Sequence, residues 1–308
     1  MTETTAIRPI APSPLDHTRD VVGTELDRCA TFMPPIPEIL AKLEKELSSE
    51  WMNVSRLANM VRTDPALAGS VLKVANSPLW RGSRQITEVE EAIQRIGKDN
   101  LRSLATVLAL NQGKLPSTGL FGASMKSFWR HSLLVAAGSV QMMRSQNTNH
   151  EVLDMVWTAA LLHDMGALLA PLLYPSQWEK ASLKVAGLDP VGEVVNLALI
   201  FRETLGIDHA RIAGVFAERG WKMSQTVAVL AGYWPDPALV EPSFAAWTIH
   251  RADQAAQTMG VCWQPQATRA RTLEVLPEES GAGPACDPEF CLASLSKHLP
   301  LVDALLSF

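Results

Sequence analysis

The sequence predicts an all-α protein, and three observations carry that expectation. Apolar residues recur at helical spacing in segment after segment, as in Ile36, Ile39, Leu40, Leu43 and Leu47. No run sustains the apolar–polar alternation of a half-buried strand. Helix-start signals precede several of the periodic segments, among them Asp64-Pro65 and the box Thr87-Glu88-Val89-Glu90. The pattern is one of many short and medium helices rather than a long coiled coil.

Taken in order, residues 1–28 are polar and carry Pro9, Pro12 and Pro14, the composition of a loosely held arm. Helices are then expected around Val54–Val61 and from Asp64 to Ala75. The second ends near Asn76-Ser77-Pro78, because proline disfavours helical geometry in the residue before it. The box at Thr87 opens a helix running through Ala92, Ile93 and Ile96 to Gly97, and Asp99 is placed to cap the next, Leu101–Leu110. A Gly/Pro/Ser loop spans Gly113 to Gly122. Longer helices are expected at Ser124–Arg144, Glu151–Leu169, Pro190–Leu205, Asp208–Arg219, Ser224–Gly232 and Ser243–Met259. Cys262 to Pro288 reads as a linker. Asp287-Pro288 caps a last helix bearing Leu292, Leu295, Leu299 and Leu305, broken or kinked at Pro300.

With 308 residues, 47% hydrophobic and 19% charged, the chain has material for one large or two modest domains with a sizeable core. No stretch reaches the ~20 apolar residues of a membrane helix, and Met1–Asp20 lacks the apolar centre of a signal peptide. The expected location is the cytoplasm. Cys29, Cys262, Cys286 and Cys291 form no CxxC pair and are read as ordinary thiols. The net charge of −5 argues against a nucleic-acid binder. The best basic patch, Arg81, Arg84, Arg95, Lys98 and Arg102, is read as a solvated edge. The short helices from Asp64 to Leu110 could imitate a helix-turn-helix but lack a basic recognition helix.

Four polar residues stand on predominantly apolar helices: His131, His163, Asp164 and Asp253. Asp164 follows the run Val156–Leu162, where a carboxylate without a partner costs several kcal/mol. Two imidazoles and two carboxylates brought together would suit a divalent transition metal such as Mn, Fe, Ni or Zn. A metal-free hydrogen-bonded cluster is the alternative, with Asp164 accepting from His131 or His163 and Asp253 from Arg251 or His250. His209 is read as assisting a helix cap or sitting half-buried. Tyr233 and Trp234 are read as packing residues. An exposed tryptophan near the N-terminal helices would suggest a partner site.

The order His131, His163-Asp164, Asp253 resembles that of the HD superfamily of metal-dependent phosphohydrolases. Met33-Pro34-Pro35-Ile36-Pro37, Val61-Arg62-Thr63-Asp64-Pro65-Ala66-Leu67 and Leu72-Lys73-Val74-Ala75-Asn76-Ser77 are similar to the HDOD domain, the HD-related output domain of bacterial signalling proteins. Glu91–Gly97, Phe128–Ser132, Ala160–Gly166 and Gly206–Ala210 extend that resemblance over roughly residues 30–255. It implies an N-terminal bundle (29–112) packed on an HD-like helical body (123–259), together an HDOD domain over 29–259, followed by a linker and C-terminal helix (260–308). It also implies that His131, His163, Asp164 and Asp253 are ligands of one metal, and it assigns no catalytic residue. Active HD enzymes commonly supply further His or Lys residues between the doublet and the last Asp, where this chain has only His209. The expected function is therefore a stand-alone regulatory module that binds a signalling protein without catalysis. Its contacts would be the groove between bundle and body or the C-terminal segment. The alternative is a metal-dependent phosphohydrolase acting on a nucleotide or cyclic dinucleotide.

Overall fold

The computed structural model describes residues 8–9, 21–26, 38–47, 49, 51–76, 84–98, 100–102, 104–105, 108, 120–146, 148–188, 196–241, 244–264, 273 and 283–306. The Met33–Pro37 motif, Ser77-Pro78, Asp99, most of the Gly113–Gly122 loop, Arg81–Ser83, Cys29 and most of the 262–288 linker lie outside these residues. The described residues are almost entirely helical, and the chain divides into two compact units. One comprises residues 34–115 and 299–308, the other residues 1–33 and 116–298.

The smaller unit contains α1 (Glu38–Leu47), α2 (Val54–Arg62), α3 (Pro65–Ala75) and α4 (Val89–Ile96). Caps set the starts. Asn53 accepts from the Arg56 amide at 3.0 Å, and Asp64 accepts from Ala66 and Leu67 at 2.9 and 3.1 Å, with Pro65 in the first turn. Asn76 closes α3 by donating to the Leu72 and Ile86 carbonyls and accepting from the Ile86 amide. The box at Thr87 does not close: α4 starts at Val89, and Glu90 instead accepts from the Ser55 hydroxyl at 2.6 Å. The apolar stripes of these helices form one core, including Leu43, Leu57, Val61, Val71 and Ile93, which Leu305 joins. Trp51 is 88% exposed at the surface of this unit. Of the basic patch, Arg84 and Arg95 both pair with Glu91 and Arg102 is buried, while Arg81 lies outside the described residues.

The larger unit is built around α5 (Met125–Arg144), which packs against α6 (His150–Leu162) and α12 (Phe244–Thr258). Between these run α7 (Met165–Leu173), α8 (Pro175–Ala186), α9 (Leu197–Leu205), α10 (His209–Val215), a π-turn at Phe216–Gly220, and α11 (Gln225–Tyr233). Helix α13 (Pro288–Ser296) packs on α5 and α12, and α14 (Leu299–Leu305) belongs to the smaller unit. The C-terminal segment is thus two helices that break at 297–298, before Pro300. Two parts of the N-terminal arm lie among the described residues. Arg8-Pro9 pairs antiparallel with Val240-Glu241, and residues 21–26 are helical with Val22 and Leu26 buried one turn apart.

Two differences from the expected elements matter. Helix α8 was not anticipated, although Pro175 and the spacing of buried Trp178, Ala181 and Val185 signal it. The helix expected over Glu151–Leu169 is broken at His163-Asp164, with a bend of 46° between its halves. No single helix among the described residues is long and apolar enough to cross a membrane.

Candidate functional site

His163 and Asp164 lie in the break itself. Neighbours on a continuous helix point ~100° apart, and the bend removes that constraint. Asp164 occupies the N-cap position of α7 but makes no side-chain cap bond, so its carboxylate turns inward instead. His131 comes from the middle of α5 and Asp253 from α12. All four residues are buried, and one ligand atom from each lies within 4.8 Å of the others. His131 Nε2 is 3.0 Å from Asp253 Oδ1 and 3.4 Å from Asp164 Oδ2; His163 Nε2 is 3.8 and 3.2 Å from the same two oxygens.

The rings are oriented from behind. His131 Nδ1 donates to the Val261 carbonyl at 2.9 Å, and His163 Nδ1 donates to the Ala160 carbonyl at 2.6 Å. A carbonyl only accepts, so each ring carries hydrogen on Nδ1 and turns Nε2 toward the carboxylates. Metal-binding histidines are commonly fixed this way. The carboxylates are held in turn. Asp164 accepts from the Trp263 indole at 2.7 Å and from His209 Nε2 at 3.1 Å, and Asp253 accepts from Gln257 at 2.7 Å. The partners expected for Asp253 bond elsewhere: Arg251 donates to the Ala285 carbonyl and Gln254, and His250 to the Trp234 carbonyl.

Despite the short distances, His131 Nε2, His163 Nε2 and Asp253 Oδ1 make no hydrogen bond. A buried polar atom left without one costs ~1–3 kcal/mol. Three such atoms converging on one spot make a donor set that fits a divalent cation of imidazole- and carboxylate-binding character. The same cluster holds protons strongly when no cation balances it. Burial alone lowers both rings, but Asp164 and Asp253 outweigh it and raise His131 to about 10 and His163 to about 9. Burial raises the carboxyls, yet the histidines prevail, holding Asp253 at about 2 and Asp164 well below the usual carboxylate range.

His209 is part of this site rather than a half-buried cap residue. Gly206 ends α9 in the left-handed conformation at φ 78°, which a side chain would strain. Asp208 then caps α10 by accepting from the Arg211 amide at 2.8 Å, which makes His209 the first helical residue. Gly166 lets α7 approach there, since a methyl group at that position would strike the His209 carbonyl. Trp263, Gln257 and Val261 escaped sequence reasoning. No local pattern marks an indole or a carbonyl as the support of a carboxylate 99 residues away, or of a ring 130 residues away. Tyr233 and Trp234 are buried as expected, and Trp234 also donates to the His163 carbonyl at 3.2 Å.

A cavity of ≈ 210 Å³ adjoins the cluster and shares His209 and Asp253 with it. Asn196, Trp234, His250 and Gln254 form other parts of its wall, and no Lys or Arg lines it among the described residues. Arg202 and Arg211, in the same unit, are committed to Asp208, Asp236 and the Gly232 carbonyl.

Residues 33–236 match the HDOD domain family model. The fold is similar to that of an HDOD domain protein of unknown function from Geobacter sulfurreducens, with 18% identity, 94% of this chain and 98% of that one covered, and a TM-score of 0.69. It is also similar to a proposed signal transduction protein from Marinobacter aquaeolei VT8 (22% identity, 97% and 66% covered, TM-score 0.72). A proposed phosphohydrolase from Shewanella amazonensis SB2B gives 23% identity, 91% and 98% covered, and a TM-score of 0.65. An uncharacterized protein of Treponema pallidum (strain Nichols) is 20% identical over 196 residues, which are 63% of this chain and only 36% of that protein.

Proposed function

This chain belongs to the HDOD domain family, and from that premise we propose that it is a signalling or regulatory module acting through protein–protein contacts, without turning over a substrate. The observation that carries this reading is the cavity wall. Phosphoryl transfer builds negative charge that cationic side chains commonly help a metal to meet, and no Lys or Arg lines the space beside the cluster among the described residues. His131, His163 and Asp164 are moreover fully buried and Asp253 nearly so. Trp51, an apolar side chain 88% exposed on the smaller unit, is the natural first residue to test for a partner contact.

His131, His163, Asp164 and Asp253 would hold one divalent transition metal, with Trp263, His209 and Gln257 fixing the carboxylates. Such an ion, when bound, supplies Lewis acidity and a lowered pKa for a coordinated water. In this reading the cluster ties α5, the α6–α7 break and α12 together, a structural role that needs no substrate. The second reading, a metal-dependent phosphohydrolase, is favoured by one observation: the cavity reaches Asp253 and His209.

A panel of nucleotides, cyclic dinucleotides and a generic phosphoester, assayed with added Mn, Fe, Ni or Zn, separates the two. The signalling reading expects no turnover, together with loss of a captured partner in Trp51→Ala. Hydrolysis by the wild type that Asp164→Ala abolishes while the fold survives would sink it.

A further inference from the structure

The last helix of the larger unit packs against the two long helices of the cluster. Helix α13 lies on both α5 and α12, which carry His131 and Asp253. Its Leu295 is fully buried and reaches α5 at Gly138, where the Cδ1 methyl fills the space that a side chain there would occupy. Gly138 follows His131 by two helical turns, on the same face of α5 and about 10 Å along its axis. Ala252, the neighbour of Asp253, meets them at the same point, its Cβ 3.7 Å from where a Gly138 side chain would begin. Three helices thus converge on one residue without a side chain, and Leu295 is the wedge between them.

A second tie joins α12 to this helix. Arg251, two residues before Asp253, is buried and donates from Nε to the Ala285 carbonyl at 3.0 Å. The Cys291 thiol of α13 donates to the same carbonyl at 3.4 Å. Asp287 caps α13 by accepting from the Glu289 amide at 2.9 Å. With nine residues the helix is too short to persist alone in water, so its helical form depends on being docked.

From these contacts we infer that α13 is a clamp on the cluster: its docking and the loading of the cluster with a divalent metal ion stabilise each other, with Leu295 as the positioning residue. The docked helix fixes the approach of α5 to α12, and that approach holds His131 Nε2 3.0 Å from Asp253 Oδ1. An ion that binds the assembled cluster more tightly than the loosened one opposes undocking, and by linkage undocking weakens the ion by the same factor. A partner that took α13 would therefore loosen the ion. The inference rests on the reading that the cluster holds one ion, and it applies to a module without turnover and to an enzyme alike.

Hydrogen exchange on the full chain, metal-free and with one equivalent of zinc, tests one direction. Amides of Pro288–Ser296 should exchange roughly tenfold more slowly when zinc is bound, and those of α8, which packs on α7 and α9 in the same unit, should slow less. Competition between the protein and a chromogenic zinc chelator tests the other. Leu295→Ala should weaken zinc roughly tenfold, Leu295→Met, which refills the volume, should restore it, and Val185→Ala, a buried truncation on α8, should leave it unchanged. Should Leu295→Ala fail to fold, the exchange measurement on wild type decides alone. Equal slowing in α8 and α13, no slowing in α13, or zinc affinity untouched by Leu295→Ala overturns the coupling. If zinc still binds at one per chain, the metal reading survives that result; a wild type that binds no zinc sinks both. Phosphoester hydrolysis would sink the signalling reading and leave this one standing.

Discussion

Trp263→Phe isolates the bond that holds the doublet's carboxylate. The Trp263 indole is 2% exposed and donates to Asp164 Oδ2 at 2.7 Å, a buried bond to a charged acceptor. Bonds of that class contribute ~1.5–3 kcal/mol. Phenylalanine keeps the apolar body but leaves a small void, for which ~1 kcal/mol more is reasonable. Trp157→Phe provides the control. Trp157 is also buried in the larger unit, but its indole nitrogen has no hydrogen-bond partner, so the same substitution there costs packing and relieves a buried unpaired donor. Trp263→Phe should therefore cost more than Trp157→Phe by at least ~1.5–3 kcal/mol, or about 1 M or more in the urea midpoint at a slope near 2 kcal/mol/M. Both should be compared on one far-UV circular dichroism transition of chelator-treated protein, because a two-unit chain need not unfold in one step. Equal losses in the two variants would refute the assignment of Trp263 as the support of Asp164.

Three further expectations follow from the same geometry. In chelator-treated protein the raised rings of His131 (about 10) and His163 (about 9) contribute stability that is full below the unfolded value of ~6.5 and is lost as pH rises through 9 to 10. The depressed carboxyl of Asp253 contributes above ~4 and loses its effect as pH falls through about 2, so melting temperatures should be highest between ~4 and ~6.5, and a rise from pH 6 to pH 10 would contradict this. Protein loaded with a divalent transition metal should carry about one ion per chain by elemental analysis and lose it in His163→Ala; full retention in that variant would place the ion elsewhere. Gly166→Ala should destabilise the larger unit by roughly 2–3 kcal/mol, because the new methyl group meets the His209 carbonyl, and an unchanged melting temperature would refute the close approach of α7 and α10.

The fold was legible where one periodic stripe faces one core. The cap at Asp64 and the stripes of α2–α4 follow from local chemistry, and the structure keeps them. The break at His163-Asp164 was not legible, because Ala159 to Leu169 is apolar almost throughout and fits a continuous helix as well as a broken one. What breaks it is tertiary: the carboxylate is worth more inside the cluster than as a cap. The four cluster residues were legible as rare polar groups on apolar helices, reinforced by their resemblance to a known order. Their supports were not. His209 was visible as a residue but its burial depends on Gly166 allowing α7 close to α10, and Trp263 and Val261 act across the fold.

The cluster can be neutral in two ways, and its geometry serves both. Two protonated imidazoles balance two carboxylates; two neutral imidazoles and two carboxylates balance one divalent cation. Burial demands one or the other. Protons would be held best by N–H bonds aimed at single oxygens. Both Nε2 atoms are fixed from behind by carbonyls and aim into the cluster, each within reach of both carboxylates rather than of one oxygen alone. That arrangement holds protons when no cation is present and suits a cation shared by all four groups when one is. It also depends on residues beyond the 33–236 family match, namely Asp253, Gln257, Val261 and Trp263. Asp253 brings the second carboxylate, Val261 orients His131, and Trp263 and Gln257 hold the two acids. A chain ending at residue 236 would leave two buried histidines facing one carboxylate, with neither the charge balance nor the orientation that either neutral state requires.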